Sequence, residues 1–308
     1  MGLSDTLGRL FGCRMASASA IETTQPHIVP TPAGEASQRS AASGFARPPR
    51  ALAQEESDNV EMSEVPDSPD SFSYNMSWFA IRSQDFDAVA HAFDLIDVKR
   101  ANWRSGLAAA RFHRRSFVFV SPSVSGWVLA VGCGLPYPVD DERYPERLTI
   151  GVRFDALMQT LMTQFPEVGF FGTDRRCDFN CWVHASGGAI QRAFCLADGG
   201  VLTNRGPQSA AEQKLQLVDL GERTPEEASN YLFECMETAG DAEEALVVAG
   251  EDREGARKKV RQTQGDPMID EDHTLAMAAA WTIDPMTLSD IDETSVGLVG
   301  VLPPAAAD

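Results

Sequence analysis

The sequence contains no apolar run approaching the ~18 residues that a membrane-crossing helix needs. Its six cysteines in 308 residues are too few and too irregularly spaced for a disulfide scaffold. Positive charge is scarce. Twenty-six basic groups face 45 acidic ones, and the net charge of −19 excludes general nucleic-acid binding, which needs a basic surface. The phosphate-cradling patterns Gly-x-x-x-x-Gly-Lys-Ser/Thr and Gly-x-Gly-x-x-Gly are absent. So are Gly-x-Ser-x-Gly, His-Glu-x-x-His and an EF-hand loop. The stretch 284–293 is acidic, but Pro285 and the missing central glycine exclude calcium coordination of that type. The sequence therefore points to no cofactor and no metal, and it is read as non-enzymatic.

Residues 1–75 differ in kind from the rest. They hold eleven serines, seven prolines, no lysine and no tryptophan. Prolines at 26, 30, 32, 48, 49, 66 and 69 break helices and central strands. Such a segment buries too little apolar surface to offset its ordering entropy. The expectation is a disordered arm over 1–75, an α+β domain over 76–302 and a disordered tail over 303–308. Acidity clusters late in the arm: residues 54–70 carry seven acidic groups and no basic one.

From Ser77 onward, secondary-structure periods appear. The pattern predicts strands over 78–82, 116–122, 127–132 and 168–172, and a helix over 85–96. Phe154, Leu157, Met158, Leu161, Met162 and Phe165 follow the i, i+3, i+4, i+7 rule of a helix with one buried face. Gly187-Gly188 predicts a hairpin between 176–186 and 189–197. Thr224-Pro225-Glu226-Glu227 is a helix start, with Thr224 as N-cap and Glu227 closing a capping box. A last helix is expected over 271–281. Hairpins without a βαβ rhythm imply one α+β domain with a largely antiparallel sheet and packed helices.

The hairpin gathers Cys177, Cys181, His184 and Cys195, a set that suggests zinc. With Ser186 opposite Ala189, the register puts Cys181 and Cys195 on opposite faces. It also puts Cys177 about 13 Å from Cys181 along the strand. Four ligands at about 2.0–2.3 Å from one ion cannot be assembled that way. The same register lines up Asp178, Asn180, Trp182, His184 and Gln191 on one face, a polar row around a tryptophan that suits recognition of a protein partner. An alternative is that this row meets water or lies under a helix. Arg192 interrupts the apolar face and needs a carboxylate partner or a place at the hairpin edge.

Val98–Val139 contains no acidic residue. Lys99, Arg100, Arg104, Arg111, Arg114 and Arg115 fall in this island, interleaved with Trp103, Phe112 and His113. Arginine forks fit carboxylates and phosphates, so Arg100, Trp103, Arg104, Arg111, Arg114 and Arg115 are candidate binding residues for an acidic partner or anionic lipid. They could equally pair with Glu226, Glu227, Asp270 and Asp272 of the C-terminal half. Cys133, between two glycines at a strand end, is the best-placed nucleophile. His113 or His184 would then serve as its base and Asp140 or Asp141 as orienter.

Met1-Gly2-Leu3-Ser4-Asp5-Thr6 satisfies the N-myristoylation pattern at Gly2. One such chain holds a membrane only marginally, and Cys13, flanked by arginines, is the candidate second lipidation site. The lysine-free Ser/Pro/Ala-rich arm with this start resembles the secretion and targeting arm of type III effectors from plant-associated bacteria. The segments Ser77–Arg82, Gly126–Gly132 and Trp281–Pro285 resemble uncharacterised bacterial proteins with no known activity, so they imply no functional residue. The arm's resemblance implies an effector-like, non-enzymatic interaction protein. A bacterium would export it to the host cell membrane or cytoplasm, with an acylated N-terminus touching a membrane surface. Two alternatives stand beside it. One is a binding or immunity-type module of the bacterial cytoplasm. The other is a thiol-dependent enzyme using Cys133.

Overall fold

The computed structural model describes residues 61–111 and 116–303. The expectations for Gly2, Cys13, His113, Arg114, Arg115, the arm before residue 61 and most of the C-terminal tail lie outside them.

Nine strands form one sheet: β1 (Ser77–Arg82), β2 (Ile96–Ala101), β3 (Phe117–Val120), β4 (Trp127–Val131), β5 (Glu167–Asp174), β6 (Phe179–Ser186), β7 (Ala189–Ala197), β8 (Gly200–Arg205) and β9 (Gly297–Val301). Their order is β2-β9-β3-β4-β1-β5-β6-β7-β8, and every neighbouring pair is antiparallel. The fold is α+β, with the largely antiparallel sheet and packed helices that the sequence implied.

Helices cover both faces, which is why the central strands read as continuous apolar runs rather than alternating ones. In β1, Trp78 and Ala80 enter one core and Phe79 and Ile81 the other. The first core is closed by α2 (Trp103–Ala110), α5 (Pro225–Val248), α7 (Glu271–Trp281) and a 3-10 turn (Pro285–Asp290). The second is closed by α1 (Phe86–Ala92) and α3 (Pro145–Gln164), with Phe154, Met158 and Leu161 fully buried. Phe79 there meets Phe93, Phe154 and Phe170 at ring distances of 4.7–6.0 Å. Two further helices, α4 (Ala210–Lys214) and α6 (Arg253–Gln264), lie beyond β8 in the chain.

Local chemistry sets the boundaries. Thr224 and Glu227 form the expected capping box of α5, with Pro225 in its first turn. The helix then runs to Val248. The helix expected over 85–96 stops at Ala92, because Asp94 takes a left-handed φ of 51° and sends the chain into β2. Ser125 and Gly126 (φ 51° and 84°) turn β3 into β4, the tight connection that two positive-φ residues favour. Gly106 of α2 lies so close to Phe119 that an added Cβ would fall 2.2 Å from the ring.

Two expectations need correction. The arm does not reach residue 75: residues 61–75 are an extended strap bonded along the body. Ser63 and Val65 carbonyls accept from Asn102. The Asp67 carboxylate accepts from the Trp103 and Arg104 N–H groups at the start of α2, at 2.7 and 3.1 Å. Phe72 is buried and meets Trp78 edge-on at 5.3 Å. The proline and serine content disguised this, because the strap borrows its hydrogen bonds from the body instead of forming an element of its own.

The hairpin register is also corrected. Ser186 does face Ala189, but a bulge after Ile190 shifts the pairing by one, so that His184 faces Arg192 and Cys181 faces Cys195. The exposed Gln191 amide fastens the bulge to the Ser186 and Ala189 carbonyls at 3.1 and 3.2 Å. Cys181 and Cys195 therefore share one buried face as free thiols. Burial pushes the Cys181 thiol well above its ordinary value.

Candidate functional site

The polar row divides. Asp178 and Gln191 are exposed, Asn180 is buried, and Trp182 is 1% exposed. Asn180 accepts from the Thr274 hydroxyl of α7. The Trp182 ring stacks on Phe194 at 4.6 Å, and its Nε1 donates to Glu212 at 3.0 Å. His184 stacks on Trp281 at 5.2 Å and meets Glu167 at 3.0 Å. This face lies under α7 and α4, so the row is not brought together as one open surface.

At its centre is a buried ion pair. Arg192 Nε donates to both Glu212 oxygens at 2.9 and 3.1 Å, with the side chains only 5% and 3% exposed. Arg192 Nη1 reaches the Asn204 oxygen and the Arg205 and Gly206 carbonyls. Glu212 also closes the capping box with Ser209 that starts α4. All of these partners lie within the chain, and the pair's role is to fix α4 against β6 and β7.

Cys133 lines a cavity of about 210 Å³ with Tyr137, Arg147, Asp174, Arg176 and Cys177. Its Sγ contacts are the Asn75 carbonyl oxygen at 3.6 Å and Met76 Sδ at 3.8 Å. Burial, and then the Asp174 charge, push its thiol above the ordinary value. The proposed helpers are engaged elsewhere: His184 with Glu167, Asp140 with Arg205, and Asp141 with Arg143. Little thiolate is therefore present at neutral pH. Cys133 should react with iodoacetamide at pH 7 more slowly than free cysteine. Mass-mapped labelling faster than that standard would reverse this assignment.

The basic island behaves differently. Trp103 is buried in the core, with its ring 5.4 Å from Phe119. Lys99 and Arg100 stand exposed on β2, and Arg104 and Arg111 on and just after α2. Arg104, Ala108 and Arg111 follow the i, i+4, i+7 spacing of one helix face and are all exposed. Among the described residues, none of these four cations has a carboxylate within ion-pair distance. Three of the four carboxylates suggested for them are engaged locally: Asp270 by His273, Asp272 by Tyr74, and Glu227 by Thr224. Arg143, Arg147, Arg175, Arg176, Arg192, Arg205 and Arg261 are paired, while the exposed Arg82, Arg253 and Lys258 share with these four the lack of a carboxylate within ion-pair distance. In a chain of net charge −19, an unpaired basic face stands out.

The chain matches no family model, no curated protein and no solved structure.

Function must therefore be read from the site itself. Among the described residues, no cluster of histidine, cysteine or carboxylate side chains is arranged to hold a metal ion, and no helix is long and apolar enough to cross a membrane. The basic face is the arrangement with unused chemistry. Sequence reasoning located its charges, while the open strand beside them went unread. Glu212 was also missed. The signal for it was Ser209-x-x-Glu212, a capping box on a helix too short to show a period.

Proposed function

We propose that this chain is an effector-like, non-enzymatic interaction protein whose body binds an acidic protein partner through Lys99, Arg100, Arg104 and Arg111. The observation that carries the reading is that, among the described residues, none of these four exposed side-chain cations has a carboxylate within 4.0 Å. Exposed arginine forks cost little to desolvate and bond carboxylates bidentately. The surrounding acidity repels an acidic ligand that approaches elsewhere, so the basic face also sets orientation.

A binding titration tests this, using a synthetic glutamate–valine peptide that repeats Glu-Glu-Val-Thr-Val. Arg100→Glu with Arg104→Glu should weaken binding at least ~10-fold and steepen further at low salt. Both side chains are exposed, so the fold should survive, with unchanged urea midpoint. Equal affinity in wild type and variant would remove the reading.

Delivery rests on the leader, through export from a bacterium and acylation at Gly2, with Cys13 as the second anchor. Placement at a host membrane or in the host cytoplasm follows from that. Myristate should label the wild type in a eukaryotic cell and fail to label Gly2→Ala. Equal incorporation would end the membrane part and leave the binding part standing.

A further inference from the structure

The two ends of the sheet are treated differently. At β8 the edge is closed: the Leu202 carbonyl accepts from the Asp140 and Asp141 N–H groups, and the Val201 N–H donates to Ser229 of α5. At β2 no described residue closes the other edge. β2 pairs with β9 on one side only, Ile96 through Arg100 are all exposed, and no described residue bonds the outward main-chain groups from Asp97 to Ala101. Unpaired edge groups are a template for another strand.

The strand's side chains restrict what fits. Ile96 and Val98 are among the most exposed aliphatic residues, at 48% and 44%. Lys99 and Arg100 follow them, and Arg104 lies just beyond on α2. A second copy of β2, paired antiparallel about Val98, would answer Lys99 with Asp97 but would set Arg100 against Ile96, leaving that arginine and Arg104 without a carboxylate. An acidic strand would instead place a carboxylate against each of the consecutive residues Lys99 and Arg100, which point to opposite faces, with an uncharged residue against Asp97 and aliphatic residues against Ile96 and Val98. Resting on the acidic-partner reading above, we infer that the partner binds by strand addition: an extended acidic segment of a partner protein pairs with β2 as a tenth strand.

The experiment uses the full chain and the same glutamate–valine peptide, with and without N-methylation at alternate backbone nitrogens. Methylation removes main-chain donors and leaves every charge in place. It should weaken binding by ~10-fold or more, since the lost main-chain bonds are those that pair the strands. Hydrogen exchange should show the β2 amides slowing when the unmethylated peptide binds. If methylation has no effect while Arg100→Glu with Arg104→Glu still weakens binding, strand addition fails and the acidic-partner reading stands. If neither change matters, both fail. A third arm replaces Glu55, Glu56 and Asp58 by glutamine in the full chain. If only that variant binds the peptide, the edge is filled by the chain's own leader and the partner strand is overturned.

Discussion

Glu212→Ala should lower the unfolding free energy by about 3–5 kcal/mol, the cost of leaving one member of a buried ion pair alone. Glu212 takes both bonds from Arg192 Nε, the indole N–H of Trp182 and the Ser209 N–H. Its removal strands a guanidinium that is 5% exposed and orphans a buried indole donor. Water cannot substitute without opening the contact between α4 and β6–β7. The charge pair itself is a different quantity. Replacing both partners, Arg192→Met with Glu212→Leu, should recover much of the loss, because the desolvation cost disappears with the charges. Urea unfolding of the wild type, the two single variants and the double variant forms a cycle. A Glu212→Ala loss below ~1 kcal/mol would mean that the site relaxes and that the network does not organise this end of the sheet.

The second large effect lies in the strap. Phe72→Ala should cost about 3–5 kcal/mol, the range for emptying a buried phenylalanine site. The ring is 2% exposed and lies against Trp78, itself fully buried and stacked on Phe171 at 5.5 Å. The backbone around it is held by the Pro285 carbonyl through the Phe72 N–H at 3.2 Å, and by Ser71 bonded to Ser289 and Met286. A chain starting at Met76 loses these bonds and the Asp67 carboxylate at the start of α2 together. It should unfold at a markedly lower urea concentration than a chain starting at Glu61. Equal midpoints for the two truncations would show that the strap is decoration and that the body begins at Met76 after all.

What could be read in advance was whatever announces itself locally. Gly187-Gly188, Thr224-Pro225 and the period of 154–165 each encode their element within a few residues. Elements defined by their neighbours were missed. β2 is Ile-Asp-Val-Lys-Arg-Ala, which has neither a clean alternation nor a turn signal, and it is a strand because β9 lies beside it. β9, with two glycines in five residues, is weak by propensity and strong by burial between β2 and β3. β8 did carry a signal: Asp198-Gly199, both at positive φ, is a hairpin turn. The recognition row is not an open surface because α4 and α7 cover Asn180, Trp182 and His184, and the bulge at Gln191 exchanged the faces of β7 besides; periodicity locates neither the cover nor the bulge.

The place of β9 in the sheet has a consequence for biosynthesis. Among the described strands it is the last in the chain, yet it separates β2 from β3. Until β9 has been made, β2 has no neighbour among the described strands, and the finished part of the sheet ends at β3. The longest-range contacts close last, which slows the final step of maturation. A premature stop before Gly297 would therefore remove two strands from the sheet rather than one, and with them the platform on which the basic residues of β2 are displayed.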